Sequence, residues 1–95
     1  MSGGGRRVEI APGVVFREVG GEAVLLDLAS QRYFTLDATG TRMWALLAEH
    51  GSPEEARRRL LAELEVAEEV LARDLDELIE RLAAEGLVRV SGELR

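Results

Sequence analysis

Few side chains in this sequence are of a type that performs catalysis. Its 95 residues include no cysteine and no lysine, which excludes thiolate nucleophiles, cysteine metal ligands and Schiff-base chemistry. The single histidine, His50, precedes Gly51 at the end of a helical pattern, where an imidazole favours the negative end of the helix dipole. The aspartates and glutamates fall on helix faces with arginine partners, and no pair has the arrangement of a catalytic dyad. The sequence therefore predicts a protein that is not an enzyme and needs no cofactor or metal.

The chemistry that the sequence does offer is main-chain hydrogen bonding at the edge of a sheet. The segment Leu25–Trp44 predicts a strand, a short turn, a second strand at Arg32–Leu36 and an abrupt helix start. Because the second strand passes directly into a helix, no later strand needs to cover its free side. An open edge beside a helix can bind an extended peptide. The alternative is an ordinary edge strand that Arg32 guards against aggregation by its charge.

Composition narrows the classes of protein that remain. Hydrophobic residues make up 46% and charged residues 32% of the chain, as in a single globular domain. The net charge of -6 and pI of about 4.8 disfavour nucleic-acid binding, which depends on neutralising phosphates. No apolar run approaches the ~20 residues of a membrane span, and no apolar segment follows Met1–Arg7 as in a signal peptide. We therefore expect a cytoplasmic protein that binds neither nucleic acid nor membrane.

Three strands are predicted before the first helix, from β-branched and aromatic residues separated by turn signals. In the third of them, alternation places Phe34 and Leu36 on one face and Tyr33 and Thr35 on the other. Phe34 and Leu36 are expected in the core together with Trp44. The predicted strands are 14–19, 23–28 and 32–36.

Three helices are predicted to follow, at about 38–49, from Pro53 to about 64, and at about 67–85. Asp37 or Thr39 can cap the first helix, and Ser52 caps the second, with Glu55 completing a capping box. A further short strand is possible at 87–90. The order predicts an α+β winged helix-turn-helix, with a three-stranded antiparallel sheet followed by three helices. We expect a flexible tail over 1–11, one domain over 12–90 and a second tail over 91–95.

Two ordered sets of residues resemble the PqqD-like family of recognition elements for ribosomally made peptides. The first set runs Leu25-Leu26-Asp27-Leu28, then Arg32-Tyr33-Phe34-Thr35-Leu36-Asp37, Thr39-Gly40 and Met43-Trp44. The second set is Val70, Asp74-Leu75, Leu78-Ile79, Leu82 and Gly86-Leu87. The resemblance covers residues 12–90.

This resemblance implies a domain that binds the leader segment of a precursor peptide and brings it to a modifying enzyme. In the family, the leader adds as an antiparallel strand to the third strand and packs against the third helix. The resemblance therefore implies a peptide-binding site with two walls. The strand wall comprises Gln31, Arg32, Tyr33, Phe34 and Thr35, and the helix wall comprises Val70, Arg73, Asp74, Glu77 and Leu78.

Two branches of the family fit a chain of this size. One serves lasso-peptide synthesis beside a separate leader peptidase, and the edge strand looks more like this branch. The other is a peptide chaperone for a radical SAM enzyme that makes pyrroloquinoline quinone. A DNA-binding winged-helix regulator is a third interpretation, disfavoured because acidic residues outnumber Arg73 and Arg81 on the third helix. We expect a monomer, although the exposed edge leaves a swapped dimer as an alternative.

Overall fold

The computed structural model describes residues 5–92 as eight elements. An antiparallel sheet of order β2-β3-β4 precedes three helices, which confirms the predicted α+β winged helix-turn-helix. The third strand of the sequence analysis is β4 in the structure. The elements are β1 Arg6–Ile10, β2 Val14–Val19, β3 Glu22–Asp27, β4 Arg32–Leu36, α1 Ala38–His50, α2 Pro53–Glu63, α3 Glu68–Ala84 and β5 Val88–Gly92.

The β2-β3-β4 sheet covers the helices with one face. In its middle strand Leu25 is fully buried, and it lies opposite Phe16 on one side and Phe34 on the other. Phe16 stacks on Trp44 of α1, with ring centroids 6.3 Å apart. Burial of Trp44 stabilises the packing of α1 against the sheet, as expected, whereas Phe16 stays 40% exposed.

Side-chain caps fix where α1 and α2 begin. Asp37 follows β4 directly, and its carboxylate accepts the N–H of Gly40 at 2.8 Å, so the chain enters α1 without a loop. The Ser52 hydroxyl accepts the N–H of Glu55 at 3.1 Å and begins α2. The Glu55 carboxylate instead binds Arg58 and Arg59, so the reciprocal half of the predicted capping box is absent from the described contacts.

The predicted N-terminal tail is wrong for residues 6–10, which form β1. This strand pairs antiparallel with β5 in a separate two-stranded sheet, with Val8 opposite Val90. Val8 is buried against the helices, and its N–H donates to the Gly51 carbonyl at 2.9 Å. Ser91 and Gly92, expected in the C-terminal tail, also belong to β5. The remainder of both predicted tails, 1–4 and 93–95, lies outside the described residues.

Among residues 5–92, no helix combines the length and the apolar character that crossing a membrane requires.

Candidate functional site

The outer edge of β4 carries main-chain groups that no strand within residues 5–92 pairs. Leu28 donates its N–H to the Gly13 carbonyl at 3.0 Å, so this residue bonds toward β2. Successive residues of a strand bond to opposite sides. Leu25, three residues before Leu28, therefore bonds toward β4, where it lies opposite Phe34. Phe34 therefore bonds inward, and Tyr33 and Thr35 turn their N–H and C=O groups to the free edge.

Helix α3 forms a second wall across from this edge. Residues 70, 74, 77 and 81 of α3 recur at helical spacing on one stripe. Asp74, Glu77 and Leu78 line a cavity of about 340 Å³ that continues past the end of β4, where its opposite side is Asp37 and the start of α1. We call the space between the outer edge of β4 and this stripe the β4–α3 groove.

Two long side chains cross the β4–α3 groove from wall to wall. Arg81 of α3 places its guanidinium 5.3 Å from the centre of the Phe34 ring, a cation–π contact. Arg32 at the start of β4 pairs with Glu85 at 2.8 Å. The two walls therefore run antiparallel, with Arg32 beside Glu85 and the end of β4 beside Asp74.

The two ends of the groove differ. At one end the exposed side chains of Arg32 and Glu85 form an ion pair across it. At the other end, near Asp37, a cavity of about 340 Å³ lies between the start of α1 and α3. The outward main-chain groups of Tyr33 and Thr35 lie between these two ends.

Six of the ten predicted residues line the groove: Arg32, Tyr33 and Phe34 at one end, and Asp74, Glu77 and Leu78 at the other. The Tyr33 side chain is 72% exposed on the outer face of the sheet, the same face as that of Thr35.

The other predicted residues lie at its margins. Gln31 belongs to the β3–β4 turn, with a positive φ of 62°, and its N–H already donates to the Asp27 carbonyl at 2.7 Å. Val70 lies one helical turn before Asp74 in α3, past the end of β4, and is 37% exposed. The Arg73 side chain is exposed, with its Nε 3.9 Å from the Asp74 carboxylate.

Arg81, Glu85 and Asp37 also line the groove but were not predicted there. Arg81 lies at i+4 from Glu77 and i+7 from Asp74, so helical spacing alone could have added it to the stripe. Glu85 continues the same stripe by one turn. Asp37 was predicted only as a helix cap. Its location across the cavity from Asp74 depends on how α3 packs against the sheet.

Most ion pairs outside the groove join helix residues, and Arg6 of β1 pairs with Glu54 and Asp76. Hydrogen bonds from Arg58 and Arg59 lower the pKa of the Glu55 carboxyl. A hydrogen bond from Arg42 lowers that of Glu63. No group of three or more histidine, aspartate or glutamate side chains within residues 5–92 is arranged to hold a metal ion.

Comparison with protein families gives a match to Coenzyme PQQ synthesis protein D (PqqD) over residues 22–88. The chain belongs to the PqqD family. The matched range contains β3, β4 and all three helices, and therefore both walls of the groove. No curated protein matches the chain significantly.

Two solved structures resemble this PqqD-family chain over most of its length. TbiB1, determined in complex with the TbiA(β) leader peptide, is 38% identical, with a TM-score of 0.80 over 85% of this chain and 94% of its own. Lasso peptide synthetase B1, complexed with the leader peptide, is 25% identical, with a TM-score of 0.78 over 87% of this chain and 98% of its own. Both share its fold.

Proposed function

We propose that this protein binds the leader segment of a ribosomally synthesised precursor peptide by strand addition to β4, alongside α3. It presents the bound peptide to a leader peptidase or other modifying enzyme and performs no chemistry itself. One observation carries the proposal, namely the unpaired main-chain groups of Tyr33 and Thr35 at the mouth of the β4–α3 groove. The complexes of both structural relatives with leader peptides support it.

The energetics of strand addition suit a carrier that must later release its peptide. Four main-chain hydrogen bonds to Tyr33 and Thr35 contribute about 0.5–1.5 kcal/mol each. Each buried apolar leader side chain adds roughly 1.5–3 kcal/mol. Ordering of the leader costs about 2–5 kcal/mol, and lost translational and rotational freedom costs more. The gains and the costs are therefore of similar size, as reversible binding requires.

Antiparallel pairing gives the bound leader a direction. The leader strand begins beside the end of β4, near the cavity at Asp37, and runs toward Arg32. It passes the exposed Arg32–Glu85 ion pair at the end of the groove. The part of the precursor that follows the leader therefore leaves the groove there and stays accessible to an enzyme.

Lasso-peptide maturation is the pathway that we favour, because one structural relative is a lasso peptide synthetase B1. The second candidate is a peptide chaperone for a radical SAM enzyme in pyrroloquinoline quinone synthesis, favoured by the description of the matching family. The neighbouring reading frames separate the two. A short precursor peptide beside a protease and a cyclase indicates the first, and a radical SAM enzyme indicates the second.

Isothermal titration of the protein with a synthetic leader of that precursor tests the proposal. We expect saturable binding of one leader per chain. Mass spectrometry of the complete precursor after incubation with the protein alone should show an unchanged mass. Absence of binding, or cleavage of the precursor by the purified protein, would contradict the proposal.

Tyr33→Ala is expected to weaken leader binding about tenfold, because the exposed ring lies where a neighbouring strand would pack against it. Titration calorimetry with the same leader measures the effect. Val19→Ala is the matched control, since Val19 is also 72% exposed but lies at the β2–β3 turn. Equal affinity of the Tyr33 variant and the native protein would remove this side chain from the site.

A further inference from the structure

The outer face of the β2-β3-β4 sheet, which points away from the helices, carries an apolar patch. Seven large hydrophobic side chains are exposed within residues 5–92, and five of them lie on this face. Alternation along the strands places them there together with the half-buried Leu26. We call these six residues the outer patch. The five exposed members are Val15, Val19, Val24, Leu28 and Tyr33.

Strand register makes the outer patch continuous. Leu26 of β3 lies opposite Val15 of β2 on one side and opposite Tyr33 of β4 on the other. Side chains that lie directly opposite each other on one face are about 4.5–5.5 Å apart at their Cβ atoms. Val24 lies in the next row, opposite Arg17. The outer patch therefore spans all three strands and reaches the free edge of the sheet at Tyr33.

The outer patch has few charged neighbours. Charged residues make up 32% of the chain, yet the strand residues on this face include only two of them, Arg17 and Glu22. Glu22 lies at the margin, beside the β2–β3 turn. A partner that covers the outer patch must present an apolar surface, because charged groups would lose hydration there without gaining a counterion.

The size of this face argues against a stable dimer of the chain. Three strands of about five residues give a face of roughly 250 Å², whereas a stable interface buries about 800 Å² on each partner. A leader strand added to β4 would widen the same face by about one third, because alternate leader side chains fall beside Tyr33 and Thr35. The apolar surface open to a partner is therefore largest when the leader is bound.

We propose that the outer patch is a docking surface for the enzyme that acts on the precursor, and that this enzyme contacts the outer patch and the bound leader together. The inference rests on the proposed leader binding. Tyr33 belongs to both surfaces, since its main chain faces the leader and its side chain lies on the outer face. An apolar enzyme surface laid across β3, β4 and the leader strand covers both at once. The empty protein presents only the first, so the enzyme distinguishes the loaded protein from the empty one.

Surface plasmon resonance tests the proposal, with the full chain immobilised and the modifying enzyme encoded beside the precursor as the analyte. We expect the enzyme to bind about tenfold more tightly when the chain is saturated with the synthetic leader than when it is empty. Equal affinity for the two forms would show that the leader is not part of the docking surface, and would overturn the proposal.

Variants of the outer patch locate the contact. Val24→Asp should weaken enzyme binding to the leader-saturated protein about tenfold, because a carboxylate in the middle of the outer patch loses hydration when an apolar surface covers it. Val15→Thr combined with Val24→Thr keeps the branched shape, adds no charge and should weaken binding about threefold. Ala62→Asp is the control, since Ala62 is exposed on α2 and the variant has the same net charge as Val24→Asp. Calorimetry should give the native leader affinity for all three variants, because none of these residues lies in the β4–α3 groove.

These measurements separate the docking surface from the proposed function. If the native protein does not bind the leader, both fail. If the variants bind the leader normally and the enzyme binds Val24→Asp as tightly as the native protein, docking on the outer patch alone is contradicted. Equal loss in the Ala62 variant would show a general charge effect. Sedimentation of the native protein as a dimer that Val24→Asp dissociates would assign the outer patch to a second copy of the chain. Each of these results would overturn the proposal.

Discussion

Thr35→Pro is expected to weaken leader binding by about tenfold to a hundredfold while the protein remains folded. Proline removes the N–H that Thr35 turns to the free edge, and its ring blocks approach to the neighbouring carbonyl. Loss of two main-chain hydrogen bonds at about 0.5–1.5 kcal/mol each accounts for most of this range. The fold is preserved because the bonds of β4 to β3 are made by Arg32, Phe34 and Leu36, and edge strands accept proline at outward-facing amides.

Thr35→Val is the matched control for this substitution. Valine keeps the outward N–H and suits a strand, so we expect leader affinity close to that of the native protein. Calorimetric titration measures both affinities, and thermal unfolding checks that both variants are folded. Undiminished binding by a folded Thr35→Pro variant would show that the leader does not add to the edge of β4.

Val70→Asp is expected to reduce leader affinity by about tenfold or more. Val70 is the apolar member of the α3 stripe and is 37% exposed. A carboxylate there removes its apolar contact and must lose hydration when a leader side chain covers it. It would also lie one turn from Asp74, where two like charges repel each other.

The Val70 variant should fold as the native protein does, because an acidic residue in the first turn of α3 favours the helix dipole. Val19→Asp carries the same charge change at the β2–β3 turn and should bind the leader normally. Competition titration against native protein gives the affinity ratios. If both aspartate variants lose affinity equally, the effect is one of net charge, and Val70 does not contact the leader.

The local parts of the fold could be predicted because local signals determine them. Alternation in β4 separated the buried Leu36 from the exposed Tyr33, and Asp37 caps α1 as one of the two predicted alternatives. The glycine turn between β2 and β3 has the positive φ angles that its sequence requires. Each of these features depends on a few consecutive residues.

The parts that could not be predicted depend on contacts between distant residues. Val8 becomes part of a strand by pairing with Val90, and no residue near Val8 in the sequence indicates that partner. The alternation Arg-Val-Glu-Ile is only four residues long and follows a run of glycines, so it was not recognised as a strand. Likewise, the contact of Arg81 with Phe34 is set by the position of α3 relative to the sheet. Gln31 was predicted in the binding wall, yet the turn uses its N–H.

Amide hydrogen exchange at Tyr33 and Thr35, followed by NMR with and without a saturating leader peptide, tests strand addition most directly. The amides of Phe16 and Glu18 serve as internal controls, because the same alternation turns them to the other open edge of the sheet, at β2. We predict rapid exchange at all four amides in the free protein and strong slowing at Tyr33 and Thr35 alone in the complex. Unchanged exchange at these two amides in a fully bound complex would contradict the account.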